Sequence, residues 1–163
     1  MASRSEPPSD IYVQLRTRVF TVRLEDLGLT PDPNAPIHGV VMETGMDDGV
    51  ATFLCLADGT VSLYLSDGGG VIGAGNHDTV RSAGAETLAL TNQCADDFIA
   101  ACVATSTYPL PDDGQVFFYL LTAQGAYQAR CAEADLEERV DPFTALFENC
   151  HAVMAEARAI EEQ

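Results

Sequence analysis

The seven positions from Val50 to Leu56 are apolar on both faces of an extended chain, which predicts a central strand. A strand over roughly His38 to Thr44 precedes it, and Gly45-Met46-Asp47-Asp48-Gly49 supplies the turn between them. Asp58-Gly59 is a tight-hairpin signal. It leads into strict alternation, with Val61, Leu63 and Leu65 on one face and Ser62, Tyr64 and Ser66 on the other, the mark of a half-buried strand. Further along, Gln115 to Thr122 is again apolar on both faces and reads as central. Gln124-Gly125 turns it into a last strand over about Ala126 to Cys131.

Three stretches carry helical spacing instead. Ser9 or Asp10 can cap a first helix in which Ile11, Leu15 and Val19 form the apolar stripe and Arg16 and Arg18 lie opposite. It is expected to end before Gly28, ahead of the proline-rich loop Thr30 to Pro36. Asn76 or Asp78 caps a long helix running to about Val103, with Thr91-Asn92 as its weak point. The last helix starts at Asp141-Pro142 and buries Phe143, Leu146, Phe147, Cys150, Val153, Met154 and Ala157; the preceding Glu133 to Arg139 adds a turn. The expected fold class is therefore α+β: a five-stranded antiparallel sheet in the order α-βββ-α-ββ-α, with helices packed on it. Residues 1–9 read as a disordered lead-in, and 10–163 as one domain.

Composition narrows the classes. Hydrophobic residues make up 47% and charged residues 20% of 163 positions, enough to build a core. No apolar run is long enough to cross a membrane and no secretory leader is visible, so the expectation is a cytoplasmic protein. The net charge is −17, from 25 acidic and 8 basic residues, and every basic residue is Arg. That charge opposes binding to nucleic acid or to an anionic membrane and suits either plain solubility or a basic protein partner. The cysteines, Cys55, Cys94, Cys102, Cys131 and Cys150, are odd in number and lack close pairing, so they read as reduced and mostly buried.

Chemistry is sparse. Gly68, Gly70 and Gly73 satisfy G-x-G-x-x-G before a helix, yet the segment leaves an antiparallel meander, so a dinucleotide fold is rejected. Two readings stay open for Ser66, Asp67, Gly68, Gly69, Gly70, Gly73, Gly75, Asn76, His77 and Arg81. One is a tightly turned connection. The other is an anion site, in which backbone N–H groups and Arg81 hold the ligand and His77, on the same helical face, moves protons. Glu43, in an otherwise apolar strand, reads as a strand-end carboxylate facing solvent or, alternatively, as one half buried with a shifted pKa, and the aromatics Phe117, Phe118, Tyr119, Phe143 and Phe147 read as core. The acidic residues from Glu133 to Asp141 read as a solvated face. His38, His77 and His151 are scattered, so no metal site is expected, nor any cofactor.

Gly39 to Gly45, Leu56 to Tyr64, Gly68 to Gly73, Tyr108-Pro109-Leu110-Pro111 and Phe118 to Thr122 resemble an uncharacterised family of small bacterial proteins. That resemblance implies no activity. The order of elements is similar to that of type III secretion chaperones, which are small, acidic and dimeric, and bears on fold alone. The leading expectation is a non-enzymatic adaptor or chaperone-like protein, dimeric and bound to a protein partner. The rival is a binder, or an enzyme, of a small anionic ligand at the glycine segment.

Overall fold

The computed structural model describes residues 7–161; positions 1–6 of the expected lead-in lie outside the described residues. Ser9 caps the first helix, α1 (Asp10–Thr21): its hydroxyl accepts from the Tyr12 amide at 3.2 Å. A 3-10 turn, Leu24–Leu27, ends at Gly28 in the left-handed conformation, and the proline loop carries the chain to the sheet.

Among the described residues seven strands, not five, form one antiparallel sheet. They are β1 (Ile37–Gly45), β2 (Val50–Leu56), β3 (Val61–Leu65), β4 (Gly70–Val71), β5 (Val103–Thr105), β6 (Gln115–Thr122) and β7 (Gly125–Ala132). Their order is β4-β3-β2-β1-β6-β7-β5. The two unexpected strands are the short ones at the edges. β4 lies inside the glycine segment, where Gly70 pairs with Tyr64. Gly70 takes φ +134°, and a Cβ there would collide with the Leu63 carbonyl, so only glycine fits. β5 pairs with β7 where the sequence suggested the end of a helix.

That long helix is three elements. α2 (Asp78–Gln93) stops at Cys94, α3 (Ala95–Ala100) adds a turn and a half, and β5 follows. Thr87 and Thr91 donate back to the Ala83 and Thr87 carbonyls, which bends a helix, and Asn92 turns its amide away to β1. α4 (Glu133–Glu137) and α5 (Thr144–Glu161) complete the chain; the Asp141 carboxylate accepts from the Phe143 amide at 2.8 Å just before α5. No described helix is long and apolar enough to cross a membrane.

Both faces of the sheet are covered. Val40, Met42, Phe53, Cys55, Phe118 and Leu120 pack against α2 and α5. Val41, Leu54, Tyr64, Phe117, Tyr119 and Leu121 pack against α1 and the segment around Tyr108 and Leu110. This second cover explains why β3, which alternates in sequence, buries Ser62 and Tyr64 as well as Val61 and Leu63. It also turns α1 from its expected orientation. Tyr12, Val19 and part of Phe20 face the sheet, Ile11 is 49% exposed, and Arg16 points inward.

Arg16 meets Glu43. The carboxylate expected to face solvent is 0% exposed, because α1 lies over its strand. Arg16 donates from Nε to Oε2 and from Nη2 to Oε1, each at 2.7 Å, and also to the Tyr108 carbonyl. Thr52 donates to Oε2 at 2.7 Å and shares a 2.7 Å hydrogen bond with the Tyr12 hydroxyl. Burial tends to lower the Arg16 pKa, but the hydrogen-bonded, charged Glu43 raises it on balance. The group is a fully bonded polar staple that holds α1 to the sheet.

Candidate functional site

The glycine segment uses its own polar groups. The Gly68 amide donates to the Leu65 carbonyl, Gly69 to the Asp67 carboxylate, Gly73 to the Ser62 hydroxyl and Asn76 to the Gly73 carbonyl. Ser66 accepts from the Val50 amide through its hydroxyl. Gly75 lies against the β2–β3 turn so tightly that a Cβ would overlap the Gly59 carbonyl. His77 is the residue before α2 and makes no side-chain cap bond. Arg81 turns back to Asp78 and to the Gly75 carbonyl. Gly70, Gly73 and His77 do line a small hollow of about 350 Å³ with Val71, Ile72 and Ile160. Arg81 lies apart from that hollow, on the rim of a larger cleft.

The larger cleft, about 940 Å³, opens where β1 begins. Three pieces of chain enclose it. α2 contributes Arg81, Ala85, Leu88 and Asn92, spaced by three or four residues and so on one helical stripe. The β2–β3 turn contributes Leu56 to Gly59. The 3-10 turn and proline loop contribute Leu24 and Gly28 to Pro33 as an outer strap. Asn92 ties the helix to the sheet: its amide oxygen accepts from the Ile37 N–H and its nitrogen donates to the Ile37 carbonyl, both at 3.0 Å. The strand register shifts between Ile37 and Gly39, so the residue between them sits at an irregularity of the ladder.

That residue is His38. It is 5% exposed and borders the cleft, and neither ring nitrogen has a hydrogen-bond partner. Buried polar atoms are ordinarily paired, and leaving one unpaired costs about 1–3 kcal/mol. Burial holds the His38 pKa below its ordinary value, so the ring is neutral near pH 7, with one nitrogen donating and the other accepting. The cleft therefore has a mostly apolar wall and is bordered by a buried, unpaired imidazole whose nitrogens do not reach its open surface.

Sequence reasoning treated His38 only as one of three scattered histidines. Two signals could have singled it out: a histidine opening an apolar strand just after a proline-rich loop, and the second stripe of α2 through Ala85, Leu88 and Asn92. Elsewhere, burial raises the thiols of Cys55, Cys102 and Cys131 to about 12 and Cys150 well above its ordinary value, so these sulfurs stay protonated near pH 7. Among the described residues no three His, Cys, Asp or Glu side chains are grouped as metal ligands.

Comparison with protein-family models, with curated proteins and with solved structures finds no match. The likeness to small bacterial proteins therefore rests on its sequence segments alone, and the element order behind the chaperone likeness differs from the one found, which adds β4 and β5.

Proposed function

We propose that the chain is a small-molecule-binding protein of the cytoplasm, with its site in the cleft between α2, the β2–β3 turn and the proline strap. The observation that carries this reading is His38: a buried, neutral imidazole with two unpartnered nitrogens at the edge of an open cleft. A ligand that enters the cleft gains apolar contact with Leu56, Ala85 and Leu88, and reaches the unpaired imidazole only if the His38 ring turns towards it. Binding rather than turnover is the activity we assign, since the cleft's polar side chains suit recognition and the buried thiols are held protonated.

The test uses the uncharged fluorescent probe N-phenyl-1-naphthylamine on the full chain. Saturable binding to one site is expected, abolished by Ala85→Trp, which fills the cleft from the outer side of α2 without entering the core. Failure to saturate, or affinity unchanged in Ala85→Trp, overturns the reading.

A second reading, an acidic adaptor or chaperone-like protein that docks a basic partner or a second copy of itself, has its own support. β5 is the last strand of the sheet, and Val103 on it is 72% exposed. An unpaired strand edge is a template for another strand. Sedimentation equilibrium tests the self-association form: a dimer that dissociates in Val103→Lys supports it, and a monomer at every concentration sinks it.

A further inference from the structure

We infer that acid empties the cleft: on taking up a proton the His38 ring leaves the core, turns into the cleft towards the Asp32 and Asp58 carboxylates, and expels the bound molecule. The inference rests on the small-molecule reading above and adds the regulation of that site.

The driving force is the setting of the ring. His38 is 5% exposed and neither of its nitrogens has a hydrogen-bond partner. A neutral imidazole tolerates this at the cost of its unmade bonds. An imidazolium has two N–H donors and a full charge to solvate, and a buried, unpaired charge is far more costly. Its neighbours across the sheet carry no charge: Leu121 and Thr122 flank its position on β6, and the Ala57 amide meets its carbonyl on the other side. The charged groups that face it line the cleft: Arg81 from α2, Asp32 from the strap and Asp58 from the β2–β3 turn. Burial is the cause that holds the ring neutral where it lies.

The way out is built into the fold. The Ala57 amide donates to the His38 carbonyl at 2.8 Å and Asn92 holds Ile37 on both sides, so the backbone is fixed and the side chain is the part that moves. It stands at a ladder irregularity, the kind of position at which a side chain is re-aimed. On the cleft side, Asp32 and Asp58 each accept one backbone amide at Oδ1, from Asn34 and Thr60, and each keeps Oδ2 for a new donor. Arg81 opposes an imidazolium, but its guanidinium is engaged by the Asp78 carboxylate and the Gly75 carbonyl. The chain's charge of −17 adds to the pull of the two carboxylates. An uncharged molecule lying against Leu56, Ala85 and Leu88 would bury the charged ring again, so ligand and imidazolium exclude each other. Binding is therefore complete above about pH 6.5 and is lost as pH falls through the depressed pKa of the ring.

The experiment is fluorescence titration of the full chain with N-phenyl-1-naphthylamine at half-unit steps from pH 8 to pH 5, with far-ultraviolet circular dichroism at each step. The affinity is expected to be level at first and then to fall towards about tenfold per pH unit, the limit for one linked proton, while the circular dichroism stays constant. In His38→Phe the affinity is expected to be level throughout, and in His77→Gln/His151→Gln the fall is expected to remain. A second measurement stands even if His38→Phe folds poorly: in proton NMR titration of the unmodified chain, saturating probe is expected to lower the His38 midpoint and leave those of His77 and His151. A level affinity in the unmodified chain, a fall retained in His38→Phe, a fall that tracks loss of circular dichroism, or a His38 midpoint that the probe does not move overturns the switch while the cleft remains a binding site. No binding at pH 7.5 overturns both.

Discussion

Replacing Arg16 by Met removes a cation from a carboxylate that is 0% exposed, and the structure sets both the size and the pH signature of the loss. Glu43 accepts three hydrogen bonds of 2.7 Å, two from Arg16 and one from Thr52. Breaking a buried pair by removing one partner costs about 3–5 kcal/mol. The stranded carboxyl has one escape, which is to take up a proton. For a group with an ordinary pKa of about 4.3 this costs about 3.7 kcal/mol at pH 7 and only about 1 kcal/mol at pH 5. Arg16→Met is therefore expected to lose about 3–4 kcal/mol at pH 7, with most of the deficit recovered by pH 5. The sign follows from the variant's own chemistry. Its folded-state carboxyl has a pKa above the unfolded value, so its stability contribution is complete below about 4.3 and is lost as pH rises through the folded pKa. The depressed His38 and His151 act in the opposite direction but are common to both proteins and cancel in the difference. Urea unfolding of the two proteins at pH 5, 6 and 7 reads the effect directly. Adding Glu43→Gln to Arg16→Met is expected to restore at least half of the loss at pH 7. A deficit below about 1 kcal/mol at pH 7, or one that does not change with pH, would refute the staple and leave Arg16–Glu43 a weakly coupled pair.

Asn92→Ala removes both hydrogen bonds to Ile37. It is expected to cost about 1–3 kcal/mol and to weaken N-phenyl-1-naphthylamine binding, because the start of β1 is no longer held to α2; unchanged stability and affinity in that variant would contradict this role. Of the five cysteines Cys94 is exposed, whereas Cys55, Cys131 and Cys150 are buried, so a chromogenic disulfide reagent should modify Cys94 first and reach the buried three only on unfolding. Peptide mapping after a short exposure identifies the site. The ring of His38 is expected to titrate below about 6.5. Its contribution to stability is full above that pH and declines as pH falls from there through the depressed folded value, with His151 adding a change of the same sign; a side-chain proton NMR titration placing His38 above about 6.5 would show that the ring is not buried as described.

The parts of the fold legible in sequence are those in which local pattern and tertiary burial agree. Val50–Leu56 is apolar but for Thr52 and is buried throughout. The stripe through Leu146, Cys150 and Val153 places α5, although the helix begins at Thr144 rather than at the expected Asp141-Pro142. The misreadings occur where burial was decided by an element far away in sequence. Tyr64 and Glu43 look like outward positions until α1 is laid over them, and Ser62 until the Gly73 amide meets its hydroxyl. Of the α1 stripe expected from spacing, Val19 and Leu15 face the sheet and Ile11 does not, because the helix is turned so that Tyr12 and Arg16 reach Thr52 and Glu43. β4 and β5 are two and three residues long, too short for period-2 alternation to register.

The candidate site followed the same rule. The glycine segment draws notice because glycines mark anion cradles, but here they serve a tight turn, an edge strand and close packing on the β2–β3 turn, and the amides of Gly68, Gly69 and Gly73 are bonded within the fold. Of the residues proposed there, only Arg81 reaches the larger cleft. His38 carried no motif. Its importance comes from what surrounds it: a strand irregularity, a helix stripe some fifty residues later, and a strap of prolines.

The cleft is tested most directly by the imidazole resonances of the full chain at pH 7.5, recorded as N-phenyl-1-naphthylamine is added. The ring of His38, which borders the cleft, is expected to shift saturably, with one ligand per chain, while those of His77 and His151 stay in place. His38 resonances that do not move at saturation refute the site.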